Sequence, residues 1–402
     1  MQGEVIYVLA LIGLMLGSWG LSPGVAAQEA AQIANEPVRV AVDHLRNLEY
    51  DQARQGLKGW LQEHPDDLYA GNYLATAVLY QEMFRQDVLE STVYGEGGEV
   101  FKPSKVPVTP EFQKELFTVL DKAQGLADQR RQKDPRDKDA MYWAGVTHGT
   151  RATYHFTLRR EYKQALREAT AAHKLHDQLL VLDANYVDAL LILGVNNYVV
   201  GSLPWYLKVI ASLTGRHGDK VEGLQQIQRT TREGHYARED AQLVLAVLYQ
   251  REKMYREALP LYQRMAAAYP RNYLFPQEVA ALYGLLGDWA NATKEYDDVI
   301  AKYRAGEPNF DKMPATRMFY LAAQAHERLG ETEAALTLYS EAVQTKGEDK
   351  YRRKADLAAA DIEARLWRTA EARERYQRVA QAAPESEEGK LAKKALRKLS
   401  AD

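Results

Sequence analysis

Three histidines and an aspartate are the residues of this chain that come nearest to a metal site. His173 and His176 are three residues apart, which places both on one face of a helix, and Asp177 follows them. If the preceding helix runs antiparallel to this one, His148 lies opposite the pair, and three imidazoles can bind zinc. Histidines on helices more often cap, form hydrogen bonds or face water. We therefore predict no metal, and keep a metal-dependent enzyme built on residues 140–180 as an alternative.

Other catalytic signatures are absent from the sequence. The carboxylate pairs Asp297-Asp298 and Glu387-Glu388 are adjacent, so on a helix their side chains point in different directions. The sequence contains none of the patterns HExxH, GxxxxGK[ST], GxGxxG and GxSxG. The glycine-rich run at 95–98 lacks the Lys-Ser or Lys-Thr of a phosphate loop. We predict no catalytic residue and no cofactor.

Composition excludes several further classes of protein. The 402 residues include no cysteine, which rules out disulfides, iron–sulfur clusters and thiol nucleophiles. The 52 Lys and Arg residues face 55 Asp and Glu residues, giving a net charge of -3 that offers no general attraction to nucleic acid. Hydrophobic residues make up 46% of the chain, an ordinary globular value. A charge-driven partner therefore requires a local patch.

The N-terminus predicts export. Residues 5–16, VIYVLALIGLML, are apolar but too few to span a bilayer, and small residues lead up to Ala27. We expect cleavage after Ala27 and a periplasmic or envelope-associated mature chain. The start carries Glu4 and no Lys or Arg, unlike an ordinary secretory signal, so an uncleaved anchor stays open as the alternative.

Internal repeats dominate the C-terminal half. Residues 239–272 show two bursts of helical periodicity separated by a break, and the pattern returns in three further units. In each unit small residues recur at positions 8 and 20, as Ala246 and Ala258, Ala280 and Ala292, Ala323 and Ala335, and Ala360 and Ala372. Position 24 is aromatic, as Tyr262, Tyr296, Tyr339 and Tyr376. These units resemble the tetratricopeptide repeat (TPR), in which small residues allow the two helices of a hairpin to approach closely.

The resemblance implies an all-α, right-handed solenoid of helical hairpins, because one hairpin alone cannot bury its apolar face. We predict the following organisation along the chain: a signal peptide at 1–27, TPR-like helices at 28–93, a Gly/Pro-rich loop at 94–110, longer divergent hairpins at 111–238, four TPR units at 239–272, 273–306, 316–349 and 353–386, and a capping helix at 387–402.

Residues 188–227 also resemble the middle of the tetratricopeptide-repeat-39 family. The matching residues are Gly194, Leu203, Pro204, Gly218, Asp219 and Gly223. They include no catalytic signature. The resemblance therefore implies relatedness more than activity.

The TPR resemblance also assigns a partner-binding groove to positions 2, 5, 9, 12 and 13 of the first helix in each repeat. The groove residues that we predict are Arg251, Leu285, Arg317, Tyr320, Arg328, Lys354 and Arg365. A broken row of cations interrupted by a leucine favours a protein or peptide partner with an acidic segment and one apolar side chain. As an alternative, Asp240, Glu327 and Asp361 lie at the same set of positions and neutralise the arginines.

A second contact surface is an alternative to the groove. Residues 198–213 carry Lys208 as their one charge and include Trp205 and Tyr206, a composition that suits either a buried irregular helix or a segment at a membrane interface. The sequence as a whole predicts a non-catalytic protein-binding scaffold of the cell envelope. It leaves the oligomeric state open.

Overall fold

The computed structural model describes residues 36–89, 107–202 and 218–399, which contain seventeen α-helices and no β-strand. The predicted signal peptide, most of the Gly/Pro-rich loop, and Trp205 with Tyr206 lie outside these ranges. No helix within them is both long and apolar enough to cross a bilayer. The chain divides into two compact units between Tyr269 and Pro270, here called unit 1 and unit 2.

The described residues of unit 1 form five helical hairpins, in which each first helix is called A and each second helix B. The helices are α1 (Glu36–Arg46), α2 (Tyr50–Glu63), α3 (Leu68–Arg85), α4 (Pro110–Lys133), α5 (Lys138–Thr153), α6 (Tyr162–Leu182), α7 (Leu190–Gly201), α8 (Lys220–Glu233), α9 (Arg238–Arg251) and α10 (Tyr255–Ala268). A π-helical turn (Tyr154–Arg159) follows α5, and a short 3-10 helix (Val187–Ala189) precedes α7. Each A helix packs on its own B helix, and α2, α4, α6 and α8 also pack on the A helix that follows.

Unit 2 contains three hairpins and a final helix. Its helices are α11 (Leu274–Leu285), α12 (Trp289–Arg304), α13 (Ala315–Leu329), α14 (Thr332–Gln344), α15 (Asp349–Arg365), α16 (Thr369–Ala382) and α17 (Glu387–Leu399). The A helices α13 and α15 pack against each other. The last helix covers α16 with its apolar face, as expected of a cap.

The repeated alanines confirm the predicted TPR-like hairpins. All eight alanines predicted at positions 8 and 20 are completely buried. The four tyrosines at position 24 are buried as well. Because an alanine brings almost no bulk, the two helix backbones of a hairpin come close together, and the tyrosine fills the space beside them.

In unit 1 the A helices form an inner layer. Nearly every residue from Ala70 to Val78 of α3 and from Ala140 to Val146 of α5 is buried, and α7 and α9 are equally enclosed. The B helices, in contrast, bury one stripe each, such as Leu116, Leu120, Ala123 and Ala127 of α4. A helix that is apolar all round is typical of a protein interior, whereas a helix with one apolar stripe lies at the surface.

Two glycines within the tetratricopeptide-repeat-39 resemblance hold α7 against α8. A Cβ atom on Gly223 would lie 2.5 Å from both the carbonyl oxygen of Gly194 and the backbone nitrogen of Tyr198. Asp219, another residue of the resemblance, caps α8 by accepting hydrogen bonds from the backbone of Val221 and Glu222. These residues therefore have structural roles in a close helix pair.

The turn between A and B helices uses a left-handed residue at the same place in seven hairpins. The residues are Leu48 (φ 62°), Asp87 (φ 58°), Arg160 (φ 56°), Lys253 (φ 59°), Gly287 (φ 78°), Gly330 (φ 90°) and Trp367 (φ 61°). Glycine adopts this conformation without steric cost, whereas a residue with a Cβ atom does not. The five non-glycine residues at this turn are consequently strained.

We predict that Gly223→Ala destabilises the protein by about 1–3 kcal/mol, because the added methyl group forces two helix backbones apart. Gly125→Ala is the matched control: Gly125 lies inside α4 with nothing near its would-be Cβ atom, so alanine there should stabilise by about 0.5–1 kcal/mol. Urea unfolding followed by circular dichroism measures both values. Equal effects of the two substitutions would contradict the close packing of α7 on α8.

Candidate functional site

The interior of unit 1 is filled by aromatic side chains from three of its hairpins. The ring of Tyr236, just before α9, lies 5.9 Å from Tyr69 of α3, 5.6 Å from Tyr142 of α5 and 5.1 Å from Trp143 of α5. Asn72 of α3 also accepts a hydrogen bond of 2.9 Å from the Thr147 hydroxyl of α5. The A helices of unit 1 therefore pack on one another across its interior.

A buried ion pair joins the first hairpin of unit 1 to the fifth. Arg46, the last residue of α1, donates a hydrogen bond of 2.8 Å to Glu239 in the first turn of α9, and both side chains are buried. The hydroxyl of Tyr269 donates to the same Glu239 oxygen. Burial raises the pKa of Glu239, although Arg46 and Tyr269 act to lower it. This contact links residues 193 positions apart in the chain.

Asp240 shows that this interior is not an open groove. The sequence assigned it to groove position 2, but its side chain is buried, and burial raises its pKa well above the ordinary value despite the neighbouring Arg46. Val247, at groove position 9 of the same helix, is buried too. The alternative that Asp240 neutralises the predicted groove residue Arg251 is wrong, because the cation that lowers the pKa of Asp240 is Arg46.

Arg251 lies at the end of α9, against α7. Its guanidinium carbon is 6.0 Å from the centre of the Tyr198 ring. The Tyr198 hydroxyl in turn donates a hydrogen bond of 2.5 Å to Glu252, which also pairs with Lys220. Among the predicted groove residues, Arg251 is the one in unit 1, and it lies where the ends of α7 and α9 and the start of α8 meet.

The histidines of the predicted metal alternative form separate contacts. His148 lies 2.7 Å from Glu168, while the ring of His176 stacks on Tyr142 at 5.1 Å between centroids and lies 3.1 Å from the Tyr142 carbonyl oxygen. Burial lowers the pKa of His176 to about 4, so this imidazole is neutral. Within the described ranges, no group of three or more His, Asp and Glu residues has the arrangement of a metal site. The structure thus gives the metal-dependent alternative no support.

Unit 2 brings three of the predicted groove residues together around one tyrosine. The guanidinium carbon of Arg317 is 5.9 Å from the centre of the Tyr351 ring, and the Lys354 ammonium is 5.7 Å from it. The ring of Tyr320 lies 5.6 Å from the same ring, and the ammonium of Lys350 at 5.7 Å. We call these five residues of α13 and α15 the Tyr351 cluster. It places three cations beside two aromatic rings.

The electrostatics of the Tyr351 cluster leave a cation available to a partner. Within the described part of the chain, Lys354 has no carboxylate within ion-pair distance. Tyr320 is half-buried, and burial together with neighbouring Tyr351, Glu327 and Glu388 raises its pKa, so its hydroxyl remains protonated and can donate a hydrogen bond. An ammonium and a phenol side by side suit a carboxylate ligand.

A second group of predicted residues lies at the C-terminal ends of the A helices in unit 2. Leu285 is exposed at the end of α11, and Arg328 is exposed near the end of α13. The guanidinium carbon of Arg328 is 6.0 Å from the centre of the Trp289 ring, and no carboxylate among the described residues pairs with it. Arg328 is therefore a second cation of this face that can meet an acidic ligand.

The remaining arginine of the stripe is neutralised within the protein. Arg365 lies 2.6 Å from Glu327, which also accepts a hydrogen bond from Tyr339. Asp361 accepts a hydrogen bond of 2.5 Å from Tyr376 and pairs with none of the stripe arginines. The alternative of internal neutralisation thus describes Arg365 correctly, but it does not describe Arg328 or Lys354.

Sequence reasoning missed the residue at the centre of the cluster. Tyr351 and Lys350 lie just before the predicted start of the last repeat at 353, so the assigned groove positions did not include them. In the structure α15 begins at Asp349, earlier than that repeat. Lys350, Lys354 and Leu357 follow the three- and four-residue spacing of one helix face, which is the signal that could have revealed them.

Several solved structures are similar to this chain. The crystal structure of yeast Tom70 is similar at 14% identity, covering 93% of this chain and 91% of that chain, with a TM-score of 0.36. The human IFIT1 dimer with m7Gppp-AAAA is similar at 13% identity, covering 99% of this chain and 86% of that chain, with a TM-score of 0.41. A tetratricopeptide repeat protein from Parabacteroides merdae is 13% identical over 83% of this chain and 98% of its own, with a TM-score of 0.28. No family model and no curated protein matches the chain.

We predict that Arg46→Ala destabilises unit 1 by about 3–5 kcal/mol, because it leaves the Glu239 carboxylate buried without its cation. Replacing both partners, as Arg46→Met with Glu239→Gln, should recover most of the loss, since neither buried charge remains. Thermal unfolding followed by circular dichroism measures the two variants against the native protein. A loss below about 1 kcal/mol for Arg46→Ala would contradict the closure of unit 1 by this pair.

Proposed function

We propose that the protein is a non-catalytic interaction scaffold, and that the A helices of unit 2 bind an acidic segment of a partner protein. The observation that carries this proposal is the Tyr351 cluster, in which cations and phenols from α13 and α15 converge. Lys354 and Arg328 favour a ligand with carboxylates, because neither has a carboxylate partner among the described residues.

The spacing of these cations suggests the form of the ligand. Lys354 and Arg317 both lie within 6 Å of the centre of the Tyr351 ring, while Arg328 lies eleven residues after Arg317 on the same helix. At 1.5 Å per residue, this separation along α13 is about 16 Å. An extended peptide rises about 3.3 Å per residue and its alternate side chains face the same side, so carboxylates four residues apart, about 13 Å, can both face the protein. The long Lys and Arg side chains span the remaining distance. Leu285 offers an apolar contact beside Arg328's end of the face.

The location of the scaffold is a separate part of the proposal. The apolar stretch 5–16 and the small residues before Ala27 support export to the periplasm or envelope. We expect the mature chain to begin at Gln28 and to be released when the exporting compartment is lysed. Intact-mass measurement that finds Met1 in a membrane fraction would favour the uncleaved anchor. The same fractionation tests the alternative of membrane contact through residues 198–213.

Affinity for an acidic peptide tests the binding surface. The probe is a 12-residue fluorescein-labelled peptide with glutamates at two positions four residues apart, and its reference is the same peptide with glutamines there. We expect the native full-length protein to prefer the glutamate peptide, and Lys354→Ala with Arg328→Ala to abolish that preference. Exposed ion pairs contribute about 0.2–1 kcal/mol each, and pairs desolvated by binding about 2–5 kcal/mol. The preference should also weaken as salt is raised.

The control for this experiment removes two lysines of unit 2 that lie away from the A helices. Lys294 on α12 and Lys398 in the last turn of α17 are exposed, so replacing both by alanine changes the net charge equally. This variant should retain the preference for the glutamate peptide. If it loses as much affinity as the Lys354 and Arg328 variant, general charge attraction explains binding, and the proposed surface is wrong.

A further inference from the structure

Exposed apolar side chains concentrate at one edge of unit 2. Among the described residues, four of the eight large hydrophobic side chains that are exposed lie where its A helices end. Leu285 ends α11 and is 54% exposed, and Leu329 ends α13 and is 39% exposed. Leu366 and Trp367 follow α15 and are 41% and 89% exposed. We call these four residues the turn ridge.

Trp367 is the most unusual member of the turn ridge. It takes the left-handed conformation at the turn position that Gly287 and Gly330 occupy in the two preceding hairpins. Leu48 is also left-handed at the equivalent turn of the first hairpin, but its side chain is buried, which compensates for the strain. Trp367 is strained and nearly fully exposed, so nothing within its unit compensates. Lys253 is likewise left-handed and exposed at the equivalent turn of the fifth hairpin, so the conformation alone points to no partner. A partner that covers the indole explains the exposure of Trp367.

The spacing of the ridge follows from the packing of the A helices. α13 and α15 are in contact, and the axes of packed helices lie about 8–10 Å apart. The C-terminal end of α13 carries Leu329, and that of α15 carries Leu366 and Trp367. These exposed apolar side chains are therefore about 10 Å apart. Side chains seven residues apart on an α-helix are separated by about 10.5 Å along its axis and lie on nearly the same face.

The charges along the ridge favour a protein over an anionic membrane. Arg365 pairs with Glu327 at 2.6 Å and Arg368 with Glu333 at 2.5 Å, so both cations are already neutralised. Arg328 is the remaining cation between Leu329 and the Trp289 ring. One cation gives little attraction to a surface of anionic lipids, whereas Trp and Arg are among the residues that dominate binding in protein interfaces.

We propose that the turn ridge binds an amphipathic α-helix of a partner protein. Two apolar side chains of that helix, seven residues apart, pack on Leu329 and on the pair Leu366 and Trp367. A carboxylate of the helix pairs with Arg328. Leu285 extends the contact at the α11 end. This inference rests on the proposed function in that the occupant belongs to a protein, but it concerns a different segment from the extended acidic one.

The test uses two synthetic 21-residue helical peptides of identical composition, both rich in glutamate and labelled with fluorescein. One carries three leucines seven residues apart, and the other carries them five residues apart, which distributes them around the helix. Fluorescence anisotropy with the full-length protein should show at least about tenfold tighter binding of the heptad peptide, since each tenfold corresponds to about 1.4 kcal/mol. Equal affinity for the two peptides, or binding of neither, would overturn the proposal.

Variants assign this preference to the ridge. Trp367→Gly and Leu329→Ser should each weaken heptad-peptide binding at least about tenfold. Trp367→Gly should leave the melting temperature unchanged or raise it, because glycine relieves the left-handed strain and an exposed side chain is lost. Val181→Ser is the control: this valine of unit 1 is exposed but lies at the end of α6, so the substitution should leave affinity unchanged.

Three further measurements separate the possible occupants. Sedimentation with vesicles of phosphatidylcholine and phosphatidylglycerol tests a membrane, and analytical ultracentrifugation tests a second copy of the chain. The proposal is overturned if the protein binds vesicles or dimerises, loses this ability with Trp367→Gly, and shows no preference for the heptad peptide. The occupant is then the membrane or the second copy.

Trp367→Gly should leave the extended acidic peptide bound, while Lys354→Ala should leave the heptad peptide bound. A failure of the ridge is thereby distinguished from a failure of the proposed groove function.

Discussion

Close approach of helix backbones, made possible by alanine, is the constraint on which the rest of this structure depends. The alanines at positions 8 and 20 of the four C-terminal repeats are all completely buried, so the helices of each hairpin are held together at short range. The buried tyrosines at position 24 then fill the space beside them. Gly194 and Gly223 take the same principle further in the α7–α8 pair, where even a methyl group would collide with backbone. Regular packing of this kind fixes where each A helix presents its remaining side chains.

The two units put this common architecture to different uses. In unit 1 aromatic rings and the Arg46–Glu239 pair fill the space between A helices, so this interior serves stability. In unit 2 the described A helices present cations, phenols and exposed leucines. A buried ion pair contributes less to stability than its Coulomb attraction suggests, but removing one partner is costly. The pair therefore holds the first hairpin of unit 1 against the fifth, and contributes less to the free energy of unfolding than to this arrangement.

The sequence predicted the features that repeat and missed those that occur once. Period and residue size were sufficient to identify the alanines, the tyrosines and the hairpins, because these are set by contacts between neighbouring helices. Arg317, Tyr320 and Lys354 were found through repeat positions and do lie together. The Arg46–Glu239 contact spans 193 residues and leaves no local pattern. Tyr351 lies before the predicted start of the last repeat. Trp367 occupies the turn position at which Gly287 and Gly330 stand in the two preceding hairpins, and only its exposure and φ reveal this.

Site-specific photo-crosslinking in cells that make the protein tests most directly whether unit 2 carries the partner surface. A photoreactive residue replaces Gln324, which is exposed on α13 between Tyr320 and Arg328, and in a second strain it replaces Val181 at the exposed end of α6. The account predicts a discrete crosslinked protein from position 324, lost when Lys354 and Arg328 are replaced by alanine, and none from position 181. The same crosslink from position 181, or a crosslink at 324 that survives the loss of both cations, would contradict it.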